Sequence, residues 1–142
     1  MKTREEENDR EFGSWGEEQA AKFLEKKGFR TVERNVFVGR KEIDIIAEGR
    51  GMILFVEVKT RRQIPDADSP YGRPATAVNA KKRENLLYAV RGYLFSHREA
   101  CAGLQPRIDV VEVYADPSTS KNKVLEIRHF PNAVTAKRTH NS

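Results

Sequence analysis

A run of nine residues, MILFVEVKT at Met52 to Thr60, constrains the fold of this chain more than any other feature. Its apolar residues fall on both faces of an extended strand, which is typical of a strand in the interior of a sheet. Because side chains alternate across a strand, Glu57 and Lys59 point to the same side. Burying charged groups is unfavourable unless they are compensated. A structural ion pair would compensate them, and so would a site that holds a metal ion and a phosphate.

The composition is that of one globular domain. The 142 residues are 38% hydrophobic and 33% charged, a mixture that excludes disordered and membrane-spanning classes. No apolar run approaches the roughly 18 residues that span a bilayer, and the first residues lack the apolar segment of a signal peptide. We therefore expect a cytoplasmic protein with a single domain at residues 11–131, a flexible charged leader at 1–10 and a flexible basic tail at 132–142. The net charge of +5 is compatible with a polyanionic partner.

An amphipathic helix is predicted over Glu11 to Lys27, because apolar side chains recur there at helical spacing and Gly28 follows as a stop signal. On this helix Glu17 lies at the rim of the apolar stripe and points towards the core. Taken alone, Glu17 would be interpreted as half of a salt bridge at the helix edge.

Two strands are predicted before the central one. The first, Phe29 to Val38, is expected at a sheet edge, and the second is Glu42 to Glu48, EIDIIAE. In the second strand Ile43 and Ile45 are predicted on one face and Asp44 on the other. Another acid is therefore embedded in an apolar strand.

The turn signal Gly49-Arg50-Gly51 joins this strand to the central one as a hairpin. If Glu48 pairs with Ile53 across the turn, Asp44 lies opposite Glu57. Two carboxylates in that position repel each other unless a cation lies between them. The register therefore indicates a bound metal ion.

The second half of the chain supplies a long loop, a helix and two strands. The loop is a candidate substrate clamp, because loops of this length in compact domains are often functional. The predicted elements are a loop at Arg61 to Pro74, a helix at Thr76 to His97, and strands at Arg107 to Ala115 and Val124 to Phe130.

Basic residues follow the central strand and begin the second helix. Such charges usually form solvated surfaces, and a single lysine such as Lys82 usually snorkels at a helix edge. Their position beside buried acids favours a surface that faces phosphate groups. The candidate nucleic-acid-binding residues are Arg61, Arg62, Arg73, Lys81 and Lys82.

The acids and the lysine suit a site for Mg2+ or Mn2+. Magnesium takes oxygen ligands, usually one or two carboxylates together with waters and phosphate oxygens. Asp44 and Glu57 are the predicted ligands, with the main-chain carbonyl of Val58, and Glu17 is a third acid or an outer-shell partner. Such a metal lowers the pKa of an attacking water, and Lys59 would stabilise charge on the phosphate or orient the water.

The same positions carry a resemblance to a known family. From about Phe12 to Val113 the chain closely resembles the bacterial YraN-type family of small uncharacterised proteins, which is similar to PD-(D/E)xK nucleases and to archaeal Holliday-junction resolvases. Lys41 stands where that family usually has glycine. The motifs that carry the resemblance are Gly13-x-x-Gly16-Glu17, Glu42-Ile43-Asp44-Ile45-Ile46, Phe55-Val56-Glu57-Val58-Lys59-Thr60-Arg61, Val78 with Lys82, and Arg107-x-Asp109-Val110.

This resemblance implies an α/β, restriction-endonuclease-like fold with a central mixed β-sheet flanked by helices. It also implies divalent-metal-dependent cleavage of DNA phosphodiester bonds. Its metal-binding acids correspond to Asp44 and Glu57, its catalytic lysine to Lys59, its helix acid to Glu17 and an auxiliary basic residue to Lys82.

Three functional hypotheses follow. The first is a magnesium-dependent nuclease that acts on DNA, including branched or junction DNA, for which cutting two strands would call for a homodimer. The second is a catalytically inactive nucleic-acid-binding module of the same fold, because a fold does not determine an activity. The third, a protein-interaction adaptor, has no specific residue in its favour.

Overall fold

The computed structural model of the protein describes residues 3–66 and 79–135. Five strands form one sheet in the order β1-β2-β3-β4-β5, in which β3 and β4 are parallel and all other neighbours are antiparallel. The helix α2 lies in the crossover between the parallel strands, as such a connection requires. The elements are α1 (Arg4–Lys26), β1 (Arg30–Val38), β2 (Lys41–Gly49), β3 (Met52–Arg62), α2 (Ala80–Ser96), β4 (Gln105–Ala115) and β5 (Val124–Val134).

The two helices belong to separate hydrophobic clusters. Leu24 of α1 packs in one cluster with Leu54 and Val56 of β3, whereas Tyr93 of α2 packs in the other with Phe55. Because consecutive side chains of β3 alternate between the clusters, β3 is the interior strand covered on both faces. The predicted α/β class, a central mixed sheet flanked by helices, is confirmed. Within the described residues, no helix is long and apolar enough to cross a membrane.

The first helix begins at Arg4, so the prediction of a helix starting at Glu11 after a flexible leader is wrong for residues 4–10. The reason is a capping box at Thr3, whose side chain accepts a hydrogen bond from the Glu6 amide while the Glu6 carboxylate accepts one from the Thr3 amide. Acidic residues in the first turn also interact favourably with the helix dipole.

The last strand continues to Val134, beyond the predicted end at Phe130. The Asn132 backbone is left-handed, with φ 54°, and its amide donates a hydrogen bond of 2.9 Å to Asp109. Val134 then returns to the core beside α2. Residues 132–134 therefore belong to the sheet, not to the predicted tail.

The central strand is also longer than predicted, because parallel pairing with β4 continues to Arg62, opposite Ala115. The predicted loop therefore loses Arg61 and Arg62 to the sheet. Helix α2 begins at Ala80, where the Asn79 side chain accepts a hydrogen bond from the Lys82 amide. The rest of the predicted loop beyond residue 66, with the start predicted for the second helix at residue 76, lies outside the described residues.

The pairing of β1 with β2 omits Asn35 and Asp44, and the Asn35 backbone is left-handed, with φ 52°. The register is the same on either side of this gap, since Arg34 pairs with Ile45 and Val36 with Ile43. Beyond this point Ile43 packs in the α2 cluster, whereas Ile45 packs in the α1 cluster. The prediction that Ile43 and Ile45 share a face is therefore wrong, because a strict period of two does not hold through such a break.

Candidate active site

The hairpin that holds the site has the predicted register. Glu48 pairs with Ile53 across a two-residue turn. Both turn residues, Arg50 and Gly51, have positive φ angles of 56° and 78°. Such turns match the twist of the flanking strands, so the turn determines which residues of β2 and β3 face each other.

The paired ladder of this hairpin ends at Ile45 and Val56, one residue before Asp44 and Glu57. There the Asp44 carboxylate accepts a hydrogen bond of 2.8 Å from the backbone amide of Val58. In an extended strand the amide and carbonyl of one residue point towards the same neighbour. The Val58 carbonyl therefore faces the side of β3 on which Asp44 lies.

Glu57 is buried, with 4% of the residue exposed. Its Oε2 lies 3.3 Å from the Nζ of Lys59 and 3.3 Å from the Nζ of Lys82. Its Oε1 is buried and makes no hydrogen bond to any described residue. The prediction that Glu57 and Lys59 point the same way is confirmed, and α2 brings Lys82 to the same carboxylate.

Glu17 approaches the site from α1. Its Oε1 accepts a hydrogen bond of 3.0 Å from Asn35 and lies 3.5 Å from the Arg34 guanidinium. The preceding residue, Gly16, is buried directly against the Thr60 side chain of β3, where a methyl group would clash. This close approach fixes the distance between α1 and the strand that carries Glu57.

One cavity of about 440 Å³ gathers these groups. It lies where α1 crosses the ends of β2 and β3, and all the predicted catalytic and metal-binding residues contribute to its wall. These residues are Glu17, Asp44, Glu57, Val58 and Lys59.

The surroundings raise the pKa of Asp44 to about 7. Burial is the largest cause, followed by the negative charge of Glu57, with smaller contributions from Glu17 and Glu42. The hydrogen bond from the Val58 amide acts in the opposite direction. Asp44 is therefore only partly ionised at neutral pH, and a positive charge beside it would stabilise its ionised form.

The residues fit a magnesium or manganese ion held by two carboxylates. Within residues 3–66 and 79–135, no three His, Cys, Asp or Glu side chains are grouped as a metal site. Magnesium needs only one or two carboxylates beside waters and substrate oxygens, and the unbonded Oε1 of Glu57 and the elevated pKa of Asp44 suit that arrangement. Glu17 is held by Asn35 instead, which suits an outer position.

The structure describes four of the five candidate nucleic-acid-binding residues, and of these Lys82 forms an ion pair with a predicted catalytic residue. Lys82 lies in the site, and Lys81 beside it is exposed. Arg61 pairs in register with Tyr114, further along β3. Arg73 lies outside the described residues, and a role in nucleic-acid binding stays a prediction for all of them.

Arg62 has a structural role. Its guanidinium donates hydrogen bonds to the Thr119 carbonyl and the Asn122 side chain, at 3.1 and 2.6 Å. It also lies 4.7 Å from the centre of the Phe12 ring. Arg62 therefore connects the turn between β4 and β5 to α1.

Sequence reasoning assigned no role to Asp109, which is fully buried. Its carboxylate receives two hydrogen bonds of 2.9 Å from Arg107 and one of 2.7 Å from His129. Lys27 contacts the other ring nitrogen of His129 at 2.9 Å. In the sequence, the signal for Asp109 was an acid inside the apolar strand RIDVVEVYA. In the structure, its hydrogen-bond network connects β4, β5 and the end of α1.

A second unassigned acid, Glu112, is also fully buried. It is in register with Lys59 on the neighbouring strand and accepts a hydrogen bond of 2.8 Å from the Tyr114 hydroxyl. Burial, together with this bond, raises the pKa of Tyr114 to about 12. Glu112 was visible in the sequence only as a polar residue between valines.

Comparison with known proteins assigns the family. Residues 16–113 match the model of the uncharacterised protein family UPF0102. The chain belongs to this family. The resemblance to the YraN-type family is thereby confirmed, and the matched UPF0102 segment contains Glu17, Asp44, Glu57, Lys59 and Lys82.

Individual UPF0102 relatives cover most of the chain. A UPF0102 protein of Syntrophotalea carbinolica is 39% identical over 121 residues, which is 85% of this chain and 89% of the relative. One from Caldicellulosiruptor saccharolyticus is 39% identical over 126 residues, 89% of this chain and 98% of the relative. One from Phocaeicola vulgatus is 33% identical over 121 residues, 85% and 93% of the two chains.

Proposed function

We propose that this UPF0102 protein is a magnesium- or manganese-dependent nuclease that hydrolyses DNA phosphodiester bonds. The observation that carries the proposal is the buried carboxylate of Glu57. One of its oxygens contacts Lys59 and Lys82, while the other makes no hydrogen bond within residues 3–66 and 79–135. A buried polar atom without a partner is costly and suggests a ligand. A divalent ion shared with Asp44 would supply the missing interaction and offset the repulsion between the two acids.

Each residue then has a defined task. Asp44 and Glu57 would hold the ion, with the Val58 carbonyl as a third oxygen, and the ion would polarise the phosphoryl oxygen and activate a water. Lys59 is placed to stabilise negative charge that develops on the phosphate. Lys82 would act beside it as the auxiliary cation.

The wider proposal includes a restriction-endonuclease-like fold and activity on branched or junction DNA. The mixed sheet, the acid-x-lysine on an interior strand and the helix acid in the same cavity support the fold. The net charge of +5 supports a nucleic-acid partner. Cutting two strands of a junction would require a homodimer.

The second candidate function is a nucleic-acid-binding module without catalysis. The observation in its favour is that Glu57 is compensated by two lysines and Asp44 by a backbone amide, all within the protein. In that case the acids would serve the fold, and the basic residues would bind phosphates.

Incubation with four-way junction, flap, single-stranded and duplex DNA in Mn2+ tests the two functions. For a nuclease we expect cleavage of at least one substrate and a loss of about 100-fold or more with Lys59→Ala. The matched control is Lys22→Ala, which removes an exposed lysine of α1 outside the site and should retain activity. DNA binding that weakens steeply with salt and gives no product would support the binding module.

A further inference from the structure

A second cavity, of about 280 Å³, adjoins the candidate active site. It lies between the turn that joins β1 to β2 and the first turns of α2. Asp44 contributes to both cavities, so they meet at that residue. The other lining residues are Arg40, Lys41, Glu42, Lys82, Asn85 and Leu86.

The turn that carries Arg40 and Lys41 is held in place by the fold. Val38 pairs with Lys41, which leaves a two-residue turn, and its first residue, Gly39, has a φ of 63° that favours glycine. Val38 packs so closely on Gly92 of α2 that an added Cβ would lie 2.6 Å from its Cγ1. The two cations are therefore attached to a backbone that α2 supports directly.

Neither Arg40 nor Lys41 has an acidic partner among the described residues. Arg40 and Lys41 form no ion pair with any residue in 3–66 or 79–135, whereas Lys82 is already paired. The nearest acid in sequence, Glu42, accepts a hydrogen bond of 3.1 Å from Asn35 instead. Two cations that no described acid neutralises, on the wall of a cavity, provide favourable sites for an anion.

We propose that Arg40 and Lys41 form a subsite for a second phosphate of the substrate, next to the phosphate bound at Asp44 and Glu57. This inference rests on the proposed nuclease function, because it takes its anion to be part of a nucleic-acid strand. It identifies the substrate as a strand that continues for at least one phosphate beyond the scissile one. The cations would position that strand over Asp44.

The subsite is tested by measuring DNA binding in the presence of Ca2+. One phosphate of the DNA at a time is replaced by an uncharged methylphosphonate. Neutralising the phosphate bound by Arg40 and Lys41 should weaken binding by the wild-type protein about fivefold. The double variant Arg40→Ala/Lys41→Ala should lose no affinity when that same phosphate is replaced. Replacement of other contacted phosphates should still weaken its binding. Such coupling at one position is a property of a direct contact.

The matched control is Lys22→Ala/Lys26→Ala, which removes the same charge from a groove on α1 and β5 and should keep the wild-type pattern. An equal response of the Arg40→Ala/Lys41→Ala variant and the wild type at every position would overturn the subsite. If the wild-type protein binds DNA with this coupling but cuts none, the nuclease proposal alone fails. Absence of any DNA binding would overturn both.

Discussion

Lys82 and Glu57, 25 positions apart in the sequence numbering, lie with Nζ and Oε2 3.3 Å apart, and Lys59 contacts the same oxygen. Two lysines thus compensate one oxygen of the carboxylate, while the other, Oε1, has no hydrogen bond in the part of the chain that the structure describes. The two lysines neutralise part of the acidic charge beside Asp44 and leave Oε1 of Glu57 uncontacted by either of them. Under the proposed function, Oε1 would face the metal ion and the lysines would stabilise negative charge on the phosphate.

Metal binding should stabilise the protein. At a Mn2+ concentration ten times Kd, ligand binding adds about 1.4 kcal/mol to the free energy of unfolding, which raises Tm by about 5 °C for a domain of this size. Glu57→Gln should abolish the shift, whereas Glu25→Gln, on the exposed side of α1, should retain it. Thermal unfolding with and without Mn2+ measures the difference, and an unaltered shift in Glu57→Gln would remove Glu57 from the metal site.

Asp44→Asn should stabilise the metal-free protein at pH 8 more than at pH 4. The folded protein keeps the Asp44 proton up to about pH 7, whereas the unfolded chain loses it near 3.8. Stability therefore falls as pH rises between these values, by at most about 4 kcal/mol at about 1.4 kcal/mol per pH unit. The asparagine cannot ionise and avoids this cost. Urea unfolding at the two pH values gives the comparison, and equal effects at both would show that Asp44 titrates normally.

The hairpin could be predicted because its determinants are local. The turn at Arg50 and Gly51 sets the register that brings Asp44 towards Glu57, and an apolar run interrupted by charge identifies β3. The distribution of Ile43 and Ile45 over the two clusters could not be predicted, because it accompanies a gap in the pairing with another strand, at Asn35 and Asp44.

The position of Lys82 also depends on tertiary structure. The sequence predicts Lys82 as a basic residue at the start of a helix, and only the packing of α2 on the sheet brings it to Glu57. Arg62 shows the opposite case, since a basic residue beside the predicted site turns out to contact the β4–β5 turn. Composition gives the sign of such charges, not their partners.

Gly16→Ala should destabilise the protein by about 1–3 kcal/mol, because the added methyl group overlaps the Thr60 side chain and forces α1 away from β3. Gly13→Ala is the matched control, since nothing lies within 4 Å of the added group. Because Gly13 lies in a helix, Gly13→Ala should stabilise the protein by about 0.5–1 kcal/mol. Denaturant unfolding gives the free energies of unfolding of both variants. Equal effects of the two substitutions would show that the space between α1 and Thr60 accommodates a methyl group.

Asp109→Asn should lower the free energy of unfolding by about 3–5 kcal/mol, because it leaves Arg107 without its buried, charged partner. The Arg107 and His129 hydrogen bonds, with that of the Asn132 amide, lower the pKa of Asp109 against the effect of burial. Its contribution is therefore present above the unfolded value near 3.9 and is lost as pH falls below it. The variant should show a weaker loss of stability than the wild type in that acid range. An unchanged acid unfolding curve would contradict this assignment.

The most direct test of the nuclease proposal is hydrolysis of DNA by the wild-type protein, Asp44→Asn and Glu57→Gln, each with Mn2+ and with a chelator. Cleavage is expected from the wild-type protein with Mn2+ or Mg2+, but neither from Asp44→Asn and Glu57→Gln nor from the wild type in chelator. The absence of products from these two variants, purified identically, would exclude a contaminating nuclease. Glu25→Gln is the matched control and should cleave like the wild type. Cleavage by Asp44→Asn at the wild-type rate, or by the wild-type protein in chelator, would contradict the proposal.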